Sequence, residues 1–167
     1  MTAGSASIVI IGVGNEYRSD DGAGIAVARR LRALFPSGVT ILEESGEGAA
    51  LIQAWQGAAW VMLVDAVRSG VPPGTIHRLD ARAASVPTGF FRYSTHAFSV
   101  AEAVELARSL DQLPPHLIVY GIEGENFAAG VGLSPAVEQA VETVVERLAE
   151  EVRAAVARHN SLRSQSQ

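Results

Sequence analysis

SIVIIGVGNEYRSDDGAGIAVARRLRALF, residues 7–35, is the stretch that decides the fold. It opens on an apolar run rich in isoleucine and valine, Ser7–Val13, which suits a strand buried on both faces of a parallel sheet. A glycine-rich turn, Gly12–Tyr17, follows. Ile25, Ala28, Leu31 and Leu34 then recur at helical spacing and predict a helix over Ser19–Phe35. Ser19 is placed to cap it. Asp20 and Asp21 fall in its first turn, where the helix dipole favours carboxylates. Pro36-Ser37-Gly38 ends it.

The same alternation continues outward. Val39–Leu42 reads as a short strand and Gly48–Gln56 as a helix. Trp60–Val64 is an apolar strand with Asp65 at its carboxyl end. Ser69–Gly74 is a turn, and Thr75–Leu79 a strand at an edge. Arg82–Tyr93 has no period and reads as a loop. A helix opens near Ser94 or Thr95 and runs to Leu110, with Phe98, Ala101, Val104 and Leu106 among its apolar positions. Leu117–Tyr120 is the last core strand and Gly121–Leu133 a glycine-rich loop. Ser134 caps the final helix, with Pro135 in its first position. Val137, Val141, Val144, Leu148 and Val152 form one stripe on it. Strands alternating with helices predict a three-layer α/β fold: an open, mostly parallel twisted sheet with helices on both faces. The expected organisation is one domain over residues 7–159, a flexible N-terminus over 1–6 and a polar, disordered tail over 160–167.

Composition narrows the chemistry. A chain of 167 residues suits one α/β domain with a sizeable core. It is 48% hydrophobic and 19% charged, which is enough to fold, and its net charge is −5. An acidic domain lacks the electrostatic footprint of a nucleic-acid binder. All 13 basic residues are arginine. The lack of lysine excludes a phosphate-binding P-loop, a Schiff base and a receiver-type phospho-switch. The lack of cysteine excludes disulfides, thiolate zinc sites and cysteine nucleophiles. Residues 1–7 have neither the basic start nor the long apolar run of a signal peptide, and no run approaches a membrane span. A cytoplasmic location, with no membrane or nucleic-acid partner, is the expectation.

In open α/β sheets, ligands bind beyond the carboxyl ends of the strands. Asp21 follows the first strand, Asp65 ends another, and His96 lies in the first turn of a later predicted helix. Taken singly, each has an ordinary reading: either aspartate of the Asp20-Asp21 pair can serve the helix terminus, Asp65 can cap a turn, and His96 can cap a helix. Together, two carboxylates and an imidazole make a donor set suited to zinc, nickel, manganese or iron. Three protein ligands leave coordination positions open for chemistry. His77, His116 and His159 read as surface histidines. Gly12-Val13-Gly14 begins a dinucleotide-binding fingerprint, but its third glycine would fall at Tyr17, so that reading fails.

The stretch from Gly12 to Gly24, GVGNEYRSDDGAG, resembles the hydrogenase maturation endopeptidases. The resemblance continues in order at Val64-Asp65-Ala66, Ser94-Thr95-His96, Tyr120-Gly121-Ile122-Glu123 and Gly132-Leu133-Ser134-Pro135, and so spans nearly the whole chain. It implies an aspartate-dependent peptidase that removes the C-terminal extension of a NiFe-hydrogenase large-subunit precursor. It also implies that nickel arrives with that substrate, with other divalent metals able to occupy the site. Asp21, rather than Asp20, then joins Asp65 and His96 as metal-binding and catalytic residues. Gly12, Gly14 and Asn15 would line the substrate, the glycines by leaving room and Asn15 by donating to a developing oxyanion. One departure is clear: Glu43-Glu44-Ser45-Gly46 stands where many members carry Asp-Gly-Gly-Thr. That raises a different hydrogenase subclass or a non-hydrogenase substrate. A reading from another class keeps the same ligands but makes the protein a non-catalytic nickel-delivery module or assembly chaperone.

Overall fold

A computed structural model describes residues 7–87 and 99–166, and every structural statement below concerns these. Five strands form one sheet: β1 (Ile8–Val13), β2 (Thr40–Glu44), β3 (Trp60–Val67), β4 (Ile76–Asp80) and β5 (His116–Glu123). Their order is β2-β1-β3-β5-β4. The first four in that order run parallel, and β4 closes one edge antiparallel to β5. The helices are α1 (Ala23–Leu34), α2 (Gly48–Trp55), α3 (Val100–Ser109) and α4 (Pro135–Ser164). This is the mostly parallel sheet expected from the sequence, with its strand order now fixed.

Successive strand side chains point to opposite faces, so each apolar run feeds two cores. Ile8, Ile10, Met62, Val64, Ile118 and Tyr120 share one core with Val27 and Leu31 of α1 and with Val137, Val141, Val144, Leu148 and Val152 of α4. Val9, Ile11, Val61, Leu63, Leu117 and Val119 share the other with Leu51 and Trp55 of α2 and Ala101 and Val104 of α3. Both faces are therefore covered, which is why the strands read as continuous apolar runs.

Two glycines set how closely α1 approaches the sheet. A Cβ on Gly24 would lie 2.3 Å from the Val64 carbonyl oxygen and 2.4 Å from that of Val13. One on Gly12 would lie 2.2 Å from the Gly24 carbonyl oxygen. Helix and strand backbones touch here, so the missing side chain of Gly12 serves this packing.

Several boundaries differ from expectation. The segment Ser19–Gly22 is a single 3₁₀ turn, and α1 begins only at Ala23. Ser19 does not cap the helix: it adopts φ 53°, and its hydroxyl donates to the Ala128 carbonyl at 2.8 Å. A distant loop has claimed the side chain that local pattern assigned to the helix. Leu34 is 51% exposed and leaves the stripe. Strands β3 and β5 run on to Val67 and Glu123, so Asp65 lies within β3 and residues 121–123 are strand, not loop. Ser99 caps α3 through a reciprocal box with Glu102, while the start expected near Ser94 or Thr95, and Phe98, lie outside the described residues. Pro135 opens α4 as expected and Ser134 takes the N-cap position, but the Ser134 hydroxyl donates to Asp20 and does not cap the helix; the helix continues to Ser164, through residues expected in the tail. The N-terminal residues 1–6 and most of the expected loop beyond residue 87 lie outside the described residues.

Candidate active site at the β1–β3 crevice

From β1 the chain crosses to β2 on one side and later to β3 on the other. The carboxyl ends of β1 and β3 therefore flank the point where strand order reverses, where such sheets open a crevice. Asp21 sits in the 3₁₀ turn after β1. Its N–H donates to the Arg18 carbonyl, and its own carbonyl accepts from the Asn15 N–H, both at 3.2 Å. Asp65 lies on β3 opposite Gly121 of β5 and is only 7% exposed. By alternation it shares its face with Leu63 and Val67, which pack toward α2 and α3.

The two carboxylates feel each other. Burial pushes the Asp65 carboxyl well above the ordinary carboxylate range, and the negative charge of Asp21 pushes it further; the Ala66 N–H opposes both. Asp65 thus holds its proton more tightly than an exposed aspartate would. A divalent cation reaching both oxygen donors would replace that repulsion with attraction. The donor chemistry therefore fits a hard or borderline cation. Among the described residues, no three His, Asp or Glu side chains gather closely enough to hold a metal. The third expected ligand, His96, lies outside the described residues, three positions before the cap of α3.

Asp20 does something different from its neighbour. It is fully buried, and its carboxylate accepts from Glu125 N–H (2.9 Å), Asn126 N–H (2.9 Å), Ser134 N–H (2.7 Å) and the Ser134 hydroxyl (2.8 Å). Burial alone would raise its pKa, but these donors outweigh it and hold the carboxyl below its ordinary value. Asp20 therefore organises the loop between β5 and α4. Further backbone bonds join the same segments: Ser19 N–H to Gly130 O, Asp20 N–H to Asn126 O, and Gly130 N–H to Tyr17 O, each 2.9 Å. The turn that carries Asp21 and the loop over residues 124–134 form one hydrogen-bonded unit.

Glu123 is a second buried acid that pattern alone did not single out. It is 1% exposed, ends β5, and accepts from Ser69 N–H (2.6 Å), the Ser69 hydroxyl (2.9 Å) and Gly70 N–H (2.9 Å). His77 Nε2 lies 3.4 Å from it, so this histidine is tied to a buried acid on the edge strand. His116 stacks on Trp60 with ring centroids 3.7 Å apart. His116 and Trp60 begin their strands and so lie at the end of the sheet opposite Asp65.

Beside Asp21 lies a cleft of about 320 Å³, lined by Gly14, Asn15, Tyr17, Ile25, Arg29 and Ser45 among others. Gly14 has φ 148°, and a Cβ there would meet the Asp21 carbonyl oxygen at 2.0 Å. Asn15 Oδ1 accepts from the Tyr17 N–H at 2.9 Å, which fixes its amide at the cleft. Arg29 closes the far wall, donating to Glu16 (2.7 and 3.0 Å) and to Glu43 (3.0 Å). Arg32 also pairs with Glu43. Two arginines against two glutamates leave this wall neutral. Glu43 and Ser45 belong to the stretch that replaces Asp-Gly-Gly-Thr, and that departure therefore shapes the cleft.

The family model described as hydrogenase maturation protease matches residues 25–151. A hydrogenase expression/formation protein, HupM, from Azotobacter chroococcum is 31% identical over 160 residues, covering 88% of this chain and 76% of that protein. The hydrogenase 2 maturation protease of Escherichia coli is 28% identical over 145 residues, covering 84% and 87%. Among solved structures, the hydrogenase-maturating endopeptidase HybD of Escherichia coli superposes with a TM-score of 0.75 at 23% identity, covering 89% of this chain and 93% of that one. A [NiFe] hydrogenase maturation protease from Thermococcus kodakarensis does so with a TM-score of 0.66 at 25% identity, with the same coverage.

Proposed function

This chain belongs to the hydrogenase maturation proteases and is a peptidase, and from that premise we propose that it trims the C-terminal extension of a NiFe-hydrogenase large-subunit precursor once nickel has been inserted. What supports this reading is position: Asp21 lies on the turn after β1 and Asp65 is buried in the neighbouring β3, where burial and the charge of Asp21 both disfavour a bare carboxylate. A cation brought by the substrate removes that penalty; a metal-free precursor leaves it in place. The site thus distinguishes a loaded partner from an empty one.

Asp21, Asp65 and His96 complete the coordination of the substrate's nickel in this reading. Held there, such an ion would position the scissile peptide and supply Lewis-acid polarisation of its carbonyl or of the water that hydrolyses it. Asn15, with Oδ1 engaged by the Tyr17 N–H, has its Nδ2 left to donate to the developing oxyanion. Gly14 lines the cleft, but the Asp21 carbonyl oxygen occupies the place of its missing side chain, so its lack of a Cβ lets the Asp21 turn close against β1 and gives the substrate no extra room. Nothing in this chemistry needs a membrane, and among the described residues no helix is long and apolar enough to cross one. The reaction is assigned to the cytoplasm.

The test is mass spectrometry of the partner large subunit purified from cells with and without this gene. The extension is expected to persist only in cells lacking the gene, and the wild-type gene, but not His96→Ala, to restore trimming. Trimming in both strains would overturn the assignment.

A further inference from the structure

We propose that Tyr17 and Val131 form a rigid apolar platform on which the body of the precursor protein rests while its extension enters the crevice; this rests on the peptidase reading above. Among the large apolar side chains of the described residues, Val131 at 79% and Tyr17 at 67% are the two most exposed. They are 114 positions apart in sequence, yet neighbouring in the fold: Gly130 N–H donates to the Tyr17 carbonyl, and Arg18 bridges Gly130 in parallel register. Exposed apolar side chains on soft loops collapse onto the surface. Here Asp20 and Ser19 fasten the two segments together, so the backbones that carry Tyr17 and Val131 keep a fixed spacing. Two adjoining exposed apolar groups on one hydrogen-bonded frame suit a protein contact, with Tyr17 as its anchor and Val131 beside it.

The occupant follows from position. Tyr17 also lines the cleft beside Gly14 and Asn15, and Asp21 is four residues farther along the same turn. A second copy of this chain seated here would cover the crevice and bar a protein-sized substrate. The patch therefore fits the substrate itself, through an apolar surface adjoining the segment to be cut. Its contribution is made before and during cleavage alike, so it acts on binding rather than on the chemical step.

The experiment is steady-state processing of nickel-loaded precursor by the double variant Tyr17→Ser/Val131→Ser, beside light scattering of both proteins. Both side chains are exposed, so the melting temperature serves as the folding control. KM is expected to rise at least about tenfold with kcat within about threefold, and both proteins to show the same mass in solution. An unchanged KM, a loss confined to kcat, or a shift from dimer to monomer in the variant would each overturn the platform. Failure of the wild-type protein to cleave would instead overturn the peptidase assignment on which it rests.

Discussion

Asp65→Asn abolishes processing, lowering kcat/KM by at least about a hundredfold, yet leaves a protein that melts no lower than the wild type. The two halves of this expectation share one cause. A carboxyl inside β3, buried and repelled by Asp21, is a burden on the fold, and under the proposed function it is kept for the cation it would meet. The amide has the same shape and no charge, so it keeps the strand packed and relieves the repulsion. It also removes the anionic oxygen a substrate-borne cation would meet. Precursor cleavage and a thermal melt on the same preparation check both. A variant that cleaves normally would remove Asp65 from the site. One that has lost both activity and several degrees of stability would recast it as structural.

Asp20→Ala is expected to act mainly on the fold. It strips an ionised acceptor from four donors, three of them backbone N–H groups at the heart of the β5–α4 loop. Removing one partner of a buried charged network costs about 3–5 kcal/mol. At about 2–4 °C per kcal/mol for a domain of this size, the melting temperature falls by about 6–20 °C. Processing falls with it, since Asp21 sits on the turn that this network holds. Asp20→Asn falls between, because its one remaining acceptor cannot serve both sides of the network.

The pH dependence has a definite sign. The folded state lowers the Asp20 pKa below its ordinary value, so this group stabilises the protein above the unfolded pKa near 3.8 and loses that contribution as pH falls through the folded value. The gap in stability between wild type and Asp20→Ala therefore narrows in strong acid. Denaturant melts at neutral pH and below pH 4 measure it. A gap that stays constant would mean that the carboxylate charge contributes nothing.

Most of the fold was legible because its causes are local. Runs such as Ile8–Val13 and Leu117–Tyr120 are apolar on both faces, which only a covered parallel strand tolerates. The final helix declared itself through Pro135 and one clean stripe. What failed to show depended on partners far away in sequence. Ser19 looked like a cap, but its hydroxyl is taken by Ala128, more than a hundred residues on. Asp20 and Asp21 were equivalent acids by placement, and the resemblance alone separated them. In the fold they differ: the Asp20 carboxylate turns inward to four donors, while the charge of Asp21 acts on Asp65. Gly12 was expected to spare room for substrate, but the space beside it is filled by the Gly24 carbonyl of α1. Glu123 appeared only within a family block, because its task is to hold Ser69 and Gly70 across the sheet end. His96 is a reading from sequence alone.

The most direct measurement is in vitro processing of one precursor in two forms, nickel-loaded and nickel-free, by the wild-type protein. Cleavage of the loaded form, with the empty form cut at least about a hundredfold more slowly, is the result expected from two repelling aspartates awaiting a cation. Equal rates on both forms would contradict it, and would leave Asp21 and Asp65 to act without a metal.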